Sequence, residues 1–434
     1  MIILKSYPRG VIALSSIEMW ERFSFYTMQS ILVLYAAAAV TKGGLGWSNA
    51  DAIRLTGTYG ALVFASPLIG GFVADKFIGN KFAVLIGSFI MMCGHASLAV
   101  PGSVHALYSG LMLLVIGCGL MKPSISAMVG EFYSKTDEAN KDSGFTIFYM
   151  AINIGAFIGP LVAGLVLSKY GYNYAFGVAA CGLVIAIINF FMCRSKSLKN
   201  IGVKQQKITN QPQYLWTKAD YKRFWTFVVL CISNIFWHVI YALPYGLLTL
   251  YADKNIGRNI FGWKVPSTWF YGSYAGMIIL LSPFLAMIYQ VIDKKTKLAF
   301  TLSYKLAIGY VLLAIACIFI MPLVIQIGAN SNYVGSCWYL LLFYVFFAIS
   351  ELITAPVLLS AATTFAVPGF SATLVSLNFF ISWAIGGWLG GEFGALAQSI
   401  NPGLMFKWVI GLSILFMLGH ILSNKKIESI IMAK

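Results

Sequence analysis

Apolar residues run along this chain in long blocks broken by short polar clusters. The blocks show neither the alternation of half-buried strands nor the narrow stripe of a soluble helix. Twelve can be marked, at about 11–41, 53–75, 83–101, 106–126, 145–168, 173–193, 223–251, 267–290, 302–326, 337–360, 371–397 and 404–423. Each is close to or above the ~20 residues an α-helix needs to cross a bilayer's hydrocarbon. The pattern therefore predicts an all-α membrane protein with twelve transmembrane helices. The longest polar stretch divides the blocks six and six. It predicts an N-terminal six-helix bundle (1–193), a cytoplasmic linker (194–222) and a C-terminal six-helix bundle (223–434). The halves echo each other weakly, with Ser66-Pro67 near the end of the second block and Ser282-Pro283 near the end of the eighth. Two related six-helix halves are a common transporter plan.

Composition agrees. Of 434 residues, 59% are hydrophobic and only 10% charged, against about a quarter charged in soluble proteins. A net charge of +16 first suggests nucleic acid. With both termini placed in the cytoplasm, however, most of the 30 Lys and Arg residues fall on that side, as the positive-inside rule requires. Nucleic acid is thus not an expected partner, and the lipid bilayer is. Trp47, Trp263, Trp269, Trp338 and Trp408 fall at outer ends of the blocks, where an aromatic belt sits. Seven cysteines lie in or beside apolar blocks without a C-x-x-C pair, so small buried residues are expected rather than disulfides or metal ligands. The opening residues, MIILKSYPRG, do not have the form of a cleavable signal.

The informative residues are charges where a membrane helix should carry Leu or Val. Glu18, Glu21, Arg22, Tyr26 and Gln29 follow helical spacing and share one face of the first block. Two carboxylates there share one guanidinium. Such a unit, carrying one negative charge if all three groups ionise, can take a proton on one side of a membrane and release it on the other. The alternative is a static ion cluster tying the first helix to a neighbour. Lys122, in GCGLMKPSIS, ends the fourth block. It can answer the spare negative charge, bind an anionic group of a substrate, or snorkel to the interface. Glu351, in AISELITAPV, has no basic residue in its own block, and a carboxylate so placed is expected to be protonated or to face a cation. Acid in one half and base in the other would suit a zwitterion with separated charges. His95 and His238 are expected to be satisfied polar residues rather than metal ligands. The chain has no Walker sequence, nucleophile elbow or H-E-x-x-H, so no enzyme is expected.

EMWERFSFY (18–26) resembles the E-x-x-E-R-F-x-Y-Y pattern of the proton-dependent oligopeptide transporter family, part of the major facilitator superfamily, with Phe25 at the first Tyr. GGFVADKFIGNK (70–81), GCGLMKPSISAMVGEFY (117–133), FYMAINIGAF (148–157) and SELITAPV (350–357) resemble further signatures of that family, in its order. The resemblance implies a major facilitator fold and proton-coupled import of di- and tripeptides by alternating access. It implies that Glu18, Glu21 and Arg22 couple the proton. Lys122, with Arg22, would meet the peptide carboxylate, and Asn153 and Glu351 its amino group. Tyr26 and Tyr59 would be hydrogen-bond donors of the same site, and Gln29 would stand there in place of a usual Arg. Asp75 would gate by pairing across the halves. The implied protein needs no cofactor beyond the proton gradient and binds no metal. It works as a monomer in the inner membrane of a bacterium, with both termini cytoplasmic. The sequence departs from the family in its second half. The seventh block has no acid after its Phe-Trp, Tyr274-Ala275 replaces Asn-Pro, and Asn378 replaces a Trp. A relative carrying another small anion or zwitterion, such as nitrate or a modified amino acid, is the alternative within transport. A receptor on the same fold is the alternative outside it.

Overall fold

A computed structural model describes residues 7–133, 138–203, 216–295, 301–367 and 370–432. It is helical nearly throughout: α1 Arg9–Ala37, α2 Asn49–Val73, α3 Asn80–Leu98, α4 Val104–Gly130, α5 Glu138–Tyr170, α6 Tyr172–Arg194, α7 Lys218–Tyr241, α8 Leu247–Lys254, α9 Thr268–Lys295, α10 Leu302–Ala329, α11 Trp338–Thr364, α12 Ser371–Asn378, α13 Gly386–Leu396 and α14 Pro402–Met432. Eleven helical segments among the described residues are long and apolar enough to cross a membrane. The first expected span, α1, is not among them. Its 29 residues are about 43 Å of helix, so length is not what sets it apart. Glu18, Glu21 and Arg22 lower its hydropathy, and a helix carries such charges at membrane depth where protein surrounds them.

Helix starts follow from polar caps at the block edges. Ser48, Ser103 and Thr301 accept from the backbone N–H three residues on, and Thr217 forms a reciprocal capping box with Asp220. Prolines inside helices are tolerated where the freed carbonyl finds another donor. In α2, Pro67 cannot donate to Val63, and the Ser66 hydroxyl donates to that carbonyl instead, at 3.1 Å. A π-helical turn, Ala74–Ile78, ends this span, and another, Phe379–Ile385, joins α12 to α13.

The expected seventh span, 223–251, is interrupted. Helix α7 stops at Tyr241, and α8 begins only at Leu247. Between them Pro244 lacks an N–H, and its carbonyl accepts from the Thr249 hydroxyl at 2.7 Å. A two-residue hairpin, Asn259–Ile260 against Trp263–Lys264, follows. Phe261 and Gly262 have positive φ (49° and 80°), as a two-residue turn needs to match the twist of its strands.

The chain divides into two compact units, Met1–Ile208 with Pro266–Ala275, and Thr209–Val265 with Gly276–Lys434. The first contains α1–α6 and the opening turns of α9. Those turns are tied to α5: Thr268 donates to the Pro160 carbonyl (2.8 Å) and the Trp269 indole to the Leu161 carbonyl (3.0 Å). Trp269, expected in the outer belt, thus uses its N–H inside the protein, while Trp263, Trp338 and Trp408 are exposed. The start of the expected linker also folds onto this unit. The Lys81 backbone N–H donates to Gly202 (2.9 Å) and its ammonium to Leu198 (2.6 Å), while Gly202 N–H donates to Glu131 (2.7 Å). Residues 204–215 of that linker lie outside the described residues.

In both units large apolar side chains face outward, such as Ile69, Phe72, Met192 and Leu415. That is the expected surface of a bundle whose solvent is lipid. The seven cysteines are free; Cys118, Cys231 and Cys317 are buried as expected, whereas Cys181 is exposed.

Candidate functional site

The first unit gathers its charges at the middle of α1. Glu18, Glu21 and Arg22 are each less than 5% exposed. Glu21 receives both Arg22 Nε and, at 2.5 Å, a terminal guanidinium nitrogen. Glu18 lies one turn earlier, with its Oε1 3.3 Å from Arg22 Nε. One cation therefore serves two carboxylates, as the spacing predicts. Below the guanidinium is the Phe25 ring, 4.9 Å from the Arg22 carbon to its centroid. Phe25 thus supplies an aromatic face to the cation, although it lacks the hydroxyl of the usual Tyr.

Helix α5 seats this cluster. Its Gly155 and Gly159 are four apart, a spacing that lets two helix backbones approach. A Cβ on Gly155 would lie 3.0 Å from Arg22 Cβ and 2.8 Å from Phe23 N. Thr27 donates to the Gly159 carbonyl at 3.2 Å. These glycines were not singled out in the sequence, though the stretch NIGAFIG spells their spacing.

Helices α2 and α4 close the other side. Lys122, on α4, is within electrostatic reach of Glu18, Glu21 and Arg22 but forms no ion pair with a described residue. Its ammonium lies over the Phe64 ring of α2, 4.8 Å from the centroid. Of the roles open to Lys122, the structure shows no ion pair with either acid among the described residues, and Phe64 is a contact that the sequence does not single out. Tyr59, one turn before Val63 on α2, stacks on Phe25 with ring centroids 6.3 Å apart. Its buried hydroxyl has no hydrogen-bond partner among the described residues, and neither has Gln29 Oε1. Tyr26 lies 6.1 Å, ring to ring, from Tyr271 in the opening turns of α9. Asn153 is buried on α5, with its amide donating to the Tyr149 carbonyl of its own helix at 2.9 Å.

So Glu18, Glu21, Arg22, Tyr26, Gln29, Tyr59, Lys122 and Asn153 all belong to one unit. Glu351 belongs to the other, buried on α11. The backbone beside it is pinned, because Ser350 accepts from the Trp237 indole (2.9 Å) and donates to the Gly309 carbonyl (2.8 Å). Asp75 is exposed in the π-helical turn after α2, with no ion pair among the described residues. His238 is only half satisfied: Asn234 holds its Nδ1, while its buried Nε2 has no hydrogen-bond partner among the described residues. His95 is not satisfied at all: it is fully buried, and neither ring nitrogen has a partner among the described residues. Among the described residues no three His, Cys, Asp or Glu side chains group as metal ligands.

Known proteins share this architecture. A family profile described as the POT family matches residues 81–219 and 198–402. The chain is 30% identical over 467 residues to the uncharacterized transporter YclF of Bacillus subtilis (strain 168), which covers 96% of this chain and 93% of that protein. It is 35% identical over 266 residues to the di-/tripeptide transporter of Lactococcus lactis subsp. cremoris, covering 61% of this chain and 52% of that one. The crystal structure of peptide transporter POT in complex with sulfate matches with a TM-score of 0.88 at 28% identity, over 98% of this chain and 96% of that one. The fold is the major facilitator fold of a multi-pass membrane protein.

Proposed function

The chain belongs to the POT family, and from that premise we propose that it is a proton-coupled symporter importing di- and tripeptides by alternating access. The observation that carries the proposal is the buried sharing of Arg22 by Glu18 and Glu21. Protonating either acid leaves the other paired with the guanidinium, so proton uptake takes the cluster from one net negative charge to neutral and its release restores that charge. Lys122, held by a ring rather than a carboxylate, is available to a peptide's carboxylate together with Arg22. Tyr26, Gln29 and Tyr59 supply hydrogen-bonding groups in the same unit. Asn153 and Glu351 are assigned to the peptide's amino group, and Asp75 to gating.

The naming of the Lactococcus relative as a di-/tripeptide transporter supports the substrate class. The protein is assigned to transport rather than catalysis, driven by the proton gradient in place of a cofactor. It is placed as a monomer in the inner membrane of a bacterium, with both termini cytoplasmic. The test is uptake of labelled dialanine into proteoliposomes holding the purified protein. An inward proton gradient should drive accumulation, and a protonophore should abolish it. Binding without accumulation would point instead to a receptor, and uptake of other zwitterions or nitrate alone to a different substrate.

A further inference from the structure

Lys122 has an unusual place among the charges of the first unit. Both nearby carboxylates are engaged by Arg22, and the Lys122 ammonium rests on the face of Phe64, 4.8 Å from its centroid. Backbone packing brings the two helices together there. A Cβ on Gly70 of α2 would overlap the Gly119 carbonyl of α4, and one on Gly119 would lie 2.9 Å from the Ser66 carbonyl. Ser66 is two residues from Phe64 and Gly119 three from Lys122, so the tight crossing fixes ring and ammonium side by side.

The physical character of this contact matters. A ring face attracts an ammonium through its quadrupole but offers its N–H groups no lone pair. A carboxylate offers charge and charge-assisted hydrogen bonds, which are stronger. The ring is thus a holder that a carboxylate can displace. We propose that Phe64 is the resting partner of Lys122: its ring holds the ammonium in the ligand-free protein and yields it to the carboxylate of the substrate, so Phe64 sets how tightly free carboxylates bind. This rests on the reading that Lys122 receives the peptide's carboxylate. A contact made only in the ligand-free state subtracts from binding, because the ligand must first undo it. Removing the ring should therefore tighten binding of ligands that recruit Lys122 and leave others unchanged. A purely structural Phe would instead weaken every ligand alike when removed.

The experiment measures equilibrium affinity of the purified protein for dialanine and for dialanine amide, which lacks the carboxylate. F64L and F64M, which remove the ring while keeping an apolar side chain of similar size, are expected to bind dialanine about three- to tenfold more tightly. Their affinity for the amide should not change, which also reports that they are folded; F64M serves where F64L fails to fold. F64Y, which keeps the ring, should restore the original preference. K122Q should abolish the preference for dialanine over its amide. Unchanged or weakened dialanine binding in F64L and F64M, or a parallel change for both ligands, overturns the role of Phe64 while leaving the Lys122 assignment standing. If K122Q keeps the preference, the carboxylate assignment itself fails, and the Phe64 proposal fails with it.

Discussion

Glu21 grips Arg22 with both carboxylate oxygens from the adjacent position of the same helix. Neighbours in a helix do not ordinarily face each other. Here the surroundings leave the guanidinium little choice, since Glu18 one turn away is its other acid partner among the described residues and Phe25 covers its face. Removing the negative charge of Glu21 should fix the cluster in its proton-loaded form. Glu21→Gln is expected to abolish gradient-driven accumulation of dipeptide while counterflow exchange continues. The two assays on one proteoliposome preparation decide it, and wild-type accumulation by the variant would refute the assignment.

Gly155 lets α5 come against the α1 backbone at Arg22. A single methyl at this place must push the helices apart, at a cost of roughly 1–3 kcal/mol. Gly155→Ala should lower the melting temperature in detergent and reduce uptake. Gly177, on α6, has nothing within 4 Å of a would-be Cβ, so Gly177→Ala is the control and should melt no lower than the wild type.

The chain of hydrogen bonds from the Trp237 indole through Ser350 to the Gly309 carbonyl joins α7, α11 and α10 next to Glu351. Ser350→Ala strands a buried donor and removes one donor from a buried carbonyl, which should cost about 1–3 kcal/mol for the orphaned indole. Thermal unfolding should show the loss, and Ser350→Thr, which keeps the hydroxyl, should recover part of it. Equal melting of Ala and Thr variants would mean the hydroxyl contributes nothing.

Glu351 is assigned to the positive end of the substrate. Removing one partner of a desolvated charge pair costs ~2–5 kcal/mol, so Glu351→Ala should weaken dialanine binding by about thirtyfold or more. N-acetylated dialanine brings no ammonium and should be affected little. Equal losses for both ligands would show that Glu351 does not meet the amino group, and a substrate other than a peptide would become the better reading.

How much of this was legible in the sequence depends on the range of the interaction. The spans could be marked because the need for ~20 apolar residues acts along one continuous segment. The shared face of Glu18, Glu21 and Arg22 could be read because a helix fixes which neighbours meet within a turn or two. Even the break in the seventh span had its local sign, Pro244, which the apolar run around it concealed.

The rest was decided by tertiary structure. That Lys122 meets Phe64 instead of joining the acids depends on how α2 crosses α4, and that crossing is set by Gly70 and Gly119, residues far apart in the chain. That Arg22 is seated by Gly155, and that the opening turns of α9 pack with the first unit through Pro160 and Leu161, likewise arises between distant segments. Periodicity reports which face of a helix is apolar. In a membrane, where lipid is as apolar as a protein core, it does not say which neighbour that face will meet, and only close backbone packing and the few polar contacts make that choice.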